Sequence, residues 1–420
     1  MTAKSRIVVL GGGFAGLEST FLLRSRLGDR ADLTLVSDSP NFLFKPNTIY
    51  IPFGADPSSL LIPLERPARK RDIRLVRGSV EGLDVDARRV RAGGQDLPYD
   101  FLVIATGSAM SPGEIPGLAE HAETIWTSEQ MQSLGSRLQE LLARAKRGEE
   151  STVLFAVPPG NKCAGPLYEI VLMTETWLRR QGARDAVRLR WTTFEDTYIQ
   201  AFGPKLDEVV SAEFAARGID GARSVRLESV EAAEARFADG AVEAFDLLVA
   251  FPPYTAAVRY DGLQADERGF LRTEPGSRRV AGQVRIYAPG DAGDFPVKQA
   301  FLAFLQADAA AEAIAAEVTG AAAAAGFDPV SMCVMEEFDK ATFAQVPLTV
   351  TGDPERPVAV RAGADGDYRV GVSKSWRAGK KLLGLYLPLR FRNGLPFHSG
   401  LPWRMMDVGL KGMSTVLARR

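Results

Sequence analysis

The sequence predicts an α/β protein made of two Rossmann-like dinucleotide-binding domains (a glutathione-reductase-like arrangement) and a C-terminal α+β region, and three stretches carry that expectation. The first is the apolar run Ile7-Val8-Val9-Leu10, which leads into Gly11-Gly12-Gly13-Phe14-Ala15-Gly16 and an apolar segment reaching about Leu27. The second is Phe101-Leu102-Val103-Ile104, closed by Ala105-Thr106-Gly107. The third is Ile286-Tyr287-Ala288-Pro289 followed by Gly290-Asp291 and, after Lys298 and Gln299, a long Ala-rich stretch with helical character. At 420 residues the chain is long enough for two or three domains and for burial of a large cofactor.

Each element has a physical reason. In residues 11–16, Gly11 permits a tight turn, Gly13 lets backbone approach a pyrophosphate, and Gly16 lets the helix pack close to the strand, with the helix N-terminus facing the negative charge. Phe14 and Ala15 open that helix. A second strand at residues 32–36 should end in a ribose-binding acid; Asp38 is the choice, with Ser37 the alternative. Ala105, Thr106 and Gly107 mark the turn where the chain leaves the first domain, and residues 112–117 carry it into the second. That domain opens with a strand at residues 152–157, and its later strands include residues 189–192 and 246–250. After Pro252-Pro253 the chain returns, and a strand ending in Gly290-Asp291 resembles a flavoprotein motif in which the Asp bonds the ribityl chain and the following helix points its positive end at the flavin pyrimidine. The boundaries read as 1–110 and 255–325 for the FAD-binding domain, 111–254 for the second Rossmann-like domain, and 326–420 for the C-terminal region. Residues 321–325 form an Ala-rich connector.

Charge and composition exclude several function classes. Lys plus Arg number 51 against 52 for Asp plus Glu, a balance unsuited to a nucleic-acid binder that must neutralise phosphates. The opening residues run straight into the first strand with no secretory pattern, so a cytoplasmic location is expected, and no apolar run reaches the length of a membrane span. With two cysteines, His121 and His398 as the titratable soft ligands and no Cys-x-x-Cys pair, no metal site is expected. Two cysteines in a cytoplasmic chain favour redox work over a structural disulfide framework, the alternative being two unrelated buried thiols.

The cysteines sit at informative places. Cys163 lies in Pro158-Pro159-Gly160-Asn161-Lys162-Cys163-Ala164-Gly165-Pro166, where a second glycine loop would otherwise hold a nicotinamide cofactor. The two prolines remove amide donors and fix the backbone, so no pyrophosphate cradle can form there. Cys333 follows the Ala-rich connector. A thiolate is a strong nucleophile and a disulfide a ready two-electron acceptor, so a pair beside a flavin could take sulfur and pass electrons on.

Taken with Phe42-Leu43-Phe44-Lys45-Pro46-Asn47, residues 105–107 and Gly290-Asp291, the cysteine loop resembles the sulfide:quinone oxidoreductase and flavocytochrome c sulfide dehydrogenase family over nearly the whole chain. The resemblance implies non-covalent FAD, with Lys45 and Pro46 among the residues at the cofactor, and Cys163 and Cys333 as a bridged pair opened by sulfide or a small persulfide. It also implies Cys333 as the flavin-side sulfur and Cys163 as the sulfur carrier. Glu169 matches a proton-handling carboxylate, the alternative being an acid favoured at a helix start. Lys298 matches a position near the flavin pyrimidine, the alternative being a solvated lysine, and Gln299 follows it. Two features depart from the family: residues 124–128 lack its third cysteine, and no histidine stands near the site.

From Lys374 onward, Lys374, Arg377, Lys380, Lys381, Arg390, Arg392, Arg404, Lys411, Arg419 and Arg420 face only Asp407. Residues 375–387 and 401–413 mix these bases with Trp376, Trp403, Leu and Met at roughly helical spacing. The expectation is a tail lying on an anionic membrane surface at the inner face of the cell membrane, with a membrane quinone as acceptor; the alternative is a helix pair packed on the protein's own core or on a second copy in a homo-oligomer. A cytochrome acceptor, a type II NADH:quinone dehydrogenase and a non-catalytic flavin redox sensor are the competing functions.

Overall fold

The computed structural model describes residues 4–322 and 326–398 together with residues 400, 403, 405, 408, 409 and 412. Strand Ser5–Leu10 is the centre of a five-stranded parallel sheet ordered Ile286–Tyr287, Phe101–Ile104, Ser5–Leu10, Ala31–Ser37, Arg74–Arg77. Side chains on a strand alternate between faces, and both faces here are covered, which is why these strands read as continuous apolar runs. Ile7, Val9, Leu33 and Leu35 pack under the helices Phe14–Leu27 and Ala300–Thr319. Val8, Leu10 and Val36 pack under an antiparallel ribbon that contributes Val90, Ala92 and Leu97.

A second five-stranded parallel sheet has the order Glu123–Thr124, Leu247–Ala250, Ser151–Val157, Val187–Thr193, Ile219–Ala222. The helices Ser128–Lys146, Gly165–Arg180 and Gly203–Arg217 accompany it. The outgoing and returning chain cross side by side: Ser108–Met110 pairs antiparallel with Tyr254–Ala256. Residues 283–289 therefore re-enter the first sheet beside Phe101–Ile104, as the sequence order of motifs requires.

The C-terminal region pairs Val330–Glu336 antiparallel with Ala341–Val350, which also takes Arg369–Ser373. Helix Lys374–Arg392 follows, its first turn capped by the Ser373 hydroxyl, which accepts from the Trp376 backbone N–H at 3.2 Å. Among the described residues no helix is long and apolar enough to cross a membrane.

Three residues expected on a membrane-facing surface lie inside instead. Trp376 is fully buried and stacked on Phe343 with ring centroids 4.0 Å apart. Lys380 is buried against Glu169, and Arg390 is buried with its guanidinium donating to the Pro396 carbonyl. The reason is periodicity: Trp376, Lys380, Leu387 and Phe391 share the helix face turned to the protein. The exposed face instead carries Leu382, Leu385 and Leu389, each at least 60 % exposed, beside exposed Lys374, Lys381 and Arg392. Arg404, Asp407, Lys411, Arg419, Arg420 and part of the Ala-rich connector lie outside the described residues.

The end of the described tail is tied back to the nucleotide-binding helix. The buried Glu18 carboxylate accepts the backbone N–H groups of Phe397 at 2.6 Å and His398 at 3.2 Å, while the His398 ring meets Asp308. Burial raises Glu18 to about 8, the neighbouring Asp308 adding to the effect.

Candidate active site

One cavity of about 700 Å³ runs between the two sheets and the C-terminal helix, within the range that large cofactors occupy. The glycine turn forms part of its wall. Gly11 has φ +108°, and a Cβ there would stand 2.2 Å from the Ala105 carbonyl oxygen; one on Gly16 would stand 1.8 Å from the Gly11 oxygen. Gly13, by contrast, faces open space. That is the pattern a pyrophosphate needs: two glycines for tight packing and one for close approach. Gly290, with φ +77°, would drive a Cβ to 2.8 Å from that of Ala15, so it lets the third motif close over the helix start. Phe14 is wedged among Phe42, Phe44 and Phe304.

Asp38 lies one residue past strand Ala31–Ser37, exposed and on the cavity wall, whereas Ser37 is buried and donates its hydroxyl to the Ser39 carbonyl. Thr106 accepts from the Tyr260 hydroxyl at 3.3 Å, and Gly107 has φ +76°. Lys45 and Pro46 line the cavity; the Lys45 ammonium stands 3.0 Å above the Trp126 ring. Trp126 thus fills the stretch where the family's third cysteine is missing. Burial lowers Lys45 to about 8, offset by the nearby Asp291.

Asp291 is half-buried and raised by desolvation, with Lys298 and Lys45 opposing, and it accepts from Ser108 at 3.2 Å. Lys298 is not a solvated lysine. It is 4 % exposed, its ammonium bonded to the Gly293 carbonyl and 3.9 Å from the Phe270 ring centroid, and burial brings it down to about 7. Gln299 spans to the cysteine strand: its amide donates to the Met332 carbonyl at 3.1 Å and accepts from Ser331 at 2.7 Å.

Both cysteines line this same cavity and both are free thiols. Cys163 precedes helix Gly165–Arg180 and is held by Asn161, whose side-chain oxygen accepts the Cys163 N–H at 2.9 Å while its amide donates to the Phe251 carbonyl at 2.8 Å. The Lys298 N–H donates to the Lys162 carbonyl at 3.2 Å, fastening the cysteine loop to the flavin-type motif. Cys333 comes from strand Val330–Glu336. Burial pushes the Cys163 thiol well up, Cys333 and Asp291 adding repulsion, and pushes Cys333 up to about 12, with Glu169 raising and Lys380 lowering it.

Glu169 lies just past the first turn of helix Gly165–Arg180, so it is not a helix-start acid; it is buried and paired with Lys380, whose ammonium also donates to the Val334 carbonyl at 2.8 Å. Burial raises Glu169 to about 7, the Lys380 charge opposing. Asn161 and Lys380 were not singled out from the sequence as site residues. Asn161 is next to a motif and could have been weighed as a turn former; Lys380 looked like one base among many in a basic tail.

The loop after Val157 makes no cradle. Gly160, at φ +83°, is closed off by Arg268, 2.9 Å from where its Cβ would be. Glu195, just past strand Val187–Thr193 where a nicotinamide ribose acid would stand, is half-buried on the cavity wall, accepting from the Gln200 N–H at 3.0 Å and the Thr193 hydroxyl at 3.2 Å.

Residues 5–307 match the family model of pyridine nucleotide-disulphide oxidoreductases. The chain belongs to that family. Its resemblance to sulfide:quinone oxidoreductases is borne out among relatives of this pyridine nucleotide-disulphide oxidoreductase. The sulfide-quinone reductase of Aquifex aeolicus is 32 % identical over 231 residues, 54 % of this chain and 52 % of that protein. The solved structure of the sulfide:quinone oxidoreductase from the same bacterium superimposes with a TM-score of 0.84 at 22 % identity, covering 97 % of this chain and 96 % of that one, and so shares the fold. The type II NADH:quinone oxidoreductase NdhA of Mycobacterium tuberculosis is 24 % identical over 305 residues, 68 % of this chain and 57 % of that protein. The sequence matches to the Aquifex and Mycobacterium proteins span about half the length of each.

Proposed function

We propose that this chain is an FAD-dependent sulfide:quinone oxidoreductase-like enzyme that oxidises sulfide or a low-molecular-weight persulfide through Cys163 and Cys333 and reduces a membrane quinone, seated peripherally on the cytoplasmic face of the cell membrane. The observation that carries this reading is the meeting of both cysteines on the wall of a dinucleotide-sized cavity, at the place where a nicotinamide cradle is missing. FAD, when bound, supplies a two-electron carrier between thiols and quinone. The chain's own residues do the rest. Gly11, Gly13 and Gly16 admit the pyrophosphate, while Asp38, Lys45, Pro46, Ala105, Thr106, Gly107, Gly290 and Asp291 line or shape the space for the remainder of the cofactor. Lys298 places a buried amine, brought down to about 7, where its protonated form would oppose negative charge. Sulfide attack on a Cys163–Cys333 bridge would break the S–S bond, leaving the sulfur on one cysteine as a persulfide and the bond's electron pair on the other as a thiolate. Glu169, poised near neutrality, takes and returns the proton.

The acceptor side is argued from the C-terminal helix. Leu383, Gly384 and Leu387 line the cavity from the same helix that exposes Leu382, Leu385 and Leu389 outward. A long-tailed apolar acceptor could pass from a lipid surface into the cavity along that helix.

The Mycobacterium relative favours a second reading, a type II NADH:quinone dehydrogenase. Anaerobic stopped-flow reduction of the bound flavin separates the two. Sulfide should reduce it at least about a hundredfold faster than NADH or NADPH at equal concentration, because no amide cradle is available for a second pyrophosphate. Rapid reduction by NADH and none by sulfide would move the protein to the second reading.

Acid precipitation should release all the yellow chromophore into the supernatant. Neither cysteine lies in residues 40–50, the segment through which the cytochrome-linked branch of the resembled family attaches its flavin. Chromophore remaining in the pellet would show a covalent link and remove one thiol from the redox pair.

A further inference from the structure

Helix Lys374–Arg392 delivers two cations to a buried acidic cluster behind Cys333, and they divide the work between them. Arg377 donates to the Glu336 carboxylate at 2.7 Å, and the Tyr50 hydroxyl donates to its other oxygen at 2.7 Å. Glu336, fully buried, is thereby satisfied. Lys380 is left to Glu169 and to the carbonyl of Val334, the residue next to Cys333. Glu169, Cys333, Val334 and Lys380 all line the cavity.

We infer that Lys380 is a positioning residue for the thiol chemistry: Glu169, Cys333 and Lys380 form one proton-sharing set in which the ammonium accompanies a single negative charge as it moves between carboxylate and sulfur. The inference rests on the redox reading of Cys333 above. In the resting set the charge is on Glu169 and the proton on Cys333. When the thiol gives its proton to Glu169, the negative charge passes to sulfur. The total of the three groups is unchanged, so no new net charge is created in a dry site. Without the ammonium, either location would be an unpaired buried anion, which a protein interior strongly disfavours.

The charged and titratable groups of and around this set come from five elements. Glu169 is on helix Gly165–Arg180, Cys163 on the loop before it, Tyr50 on the segment Lys45–Phe53, and Glu336 on the cysteine's own strand. The C-terminal helix adds Lys380 and Arg377. Glu169 raises the Cys333 thiol and Lys380 lowers it, so the two substitutions have opposite signs.

The test is the pH dependence of iodoacetamide alkylation of Cys333 in full-length, FAD-loaded C163S protein, without sulfide or quinone. Alkylation reads the thiolate fraction directly. Lys380→Met should raise the midpoint by at least one pH unit, slowing the reaction at pH 8 about tenfold, while Lys380→Arg stays within about threefold of the C163S parent. Glu169→Gln should lower the midpoint and speed alkylation, and it reports independently if Lys380→Met loses its flavin. A Met variant with an unshifted midpoint, or a Gln variant with a raised one, overturns the inference. Because no sulfide is present, the two readings fail separately. Expected alkylation shifts with a flavin that sulfide leaves oxidised would sink the sulfide substrate alone, and flat profiles with normal sulfide reduction would sink the charge-sharing set alone.

Discussion

Replacing Cys163 or Cys333 by serine should lower sulfide-dependent flavin reduction by at least about a thousandfold, since a hydroxyl is a far weaker nucleophile than a thiolate and cannot form the bridge. The folded protein should survive both changes. Each cysteine is only partly buried at a cavity wall, and the contacts that fix the two segments are made by other atoms: Asn161 and the Lys162 carbonyl for one, Gln299 and the strand pairing for the other. Resting FAD spectra should accordingly remain near those of the parent. The two single variants and the double variant should be equally inactive, because a bridge is lost with either partner. Stopped-flow absorbance at the oxidised-flavin maximum checks this, and a serine variant reduced by sulfide at more than a tenth of the parental rate would reassign that cysteine to a structural role.

The nucleotide half of this site was legible because its constraints are local. Gly11, Gly13 and Gly16 are needed by backbone geometry within a few residues of one another, and the structure gives each the environment that its spacing implies. The same holds for Gly290 and for the paired crossing strands at 108–110 and 254–256. What the sequence did not disclose are partnerships across more than two hundred residues. Glu169 and Lys380 meet only because the C-terminal helix packs on strands Val330–Glu336 and Ala341–Val350 and so brings Lys380 to the Gly165–Arg180 helix. Trp376 misled for a related reason: a tryptophan flanked by bases fits an interface belt, but the residues of this amphipathic helix facing Phe343 belong to the core. The bases that remain outside, Lys374, Lys381 and Arg392, are those that fall on the opposite stripe.

That redistribution decides how membrane attachment has to be tested. Deleting everything from Lys374 would remove the buried Trp376, Lys380, Leu387 and Phe391 and the anchorage of Phe397 on Glu18, so a loss of activity would say nothing about lipid. The informative change is Leu382→Ser combined with Leu385→Ser and Leu389→Ser. All three side chains are at least 60 % exposed, so their removal should cost the fold little, while together they supply the apolar stripe that would enter an interface. In flotation with anionic liposomes at low salt, the parent should float and the triple variant should stay in solution, a loss of at least about tenfold in binding if each leucine contributes on the order of 1 kcal/mol. High salt should weaken the parent without abolishing its binding, because screening acts on Lys374, Lys381 and Arg392 and leaves the leucines inserted. Turnover with a long-tailed quinone in liposomes should fall with the binding, whereas single-turnover flavin reduction by sulfide should be unchanged, since Lys380, Leu383 and Leu387 keep their places on the cavity side of the helix. A triple variant that floats like the parent would mean the stripe does not touch lipid. A parent that stays in solution at low salt would make the stripe a contact with a second copy or another protein and remove the quinone from its place as acceptor.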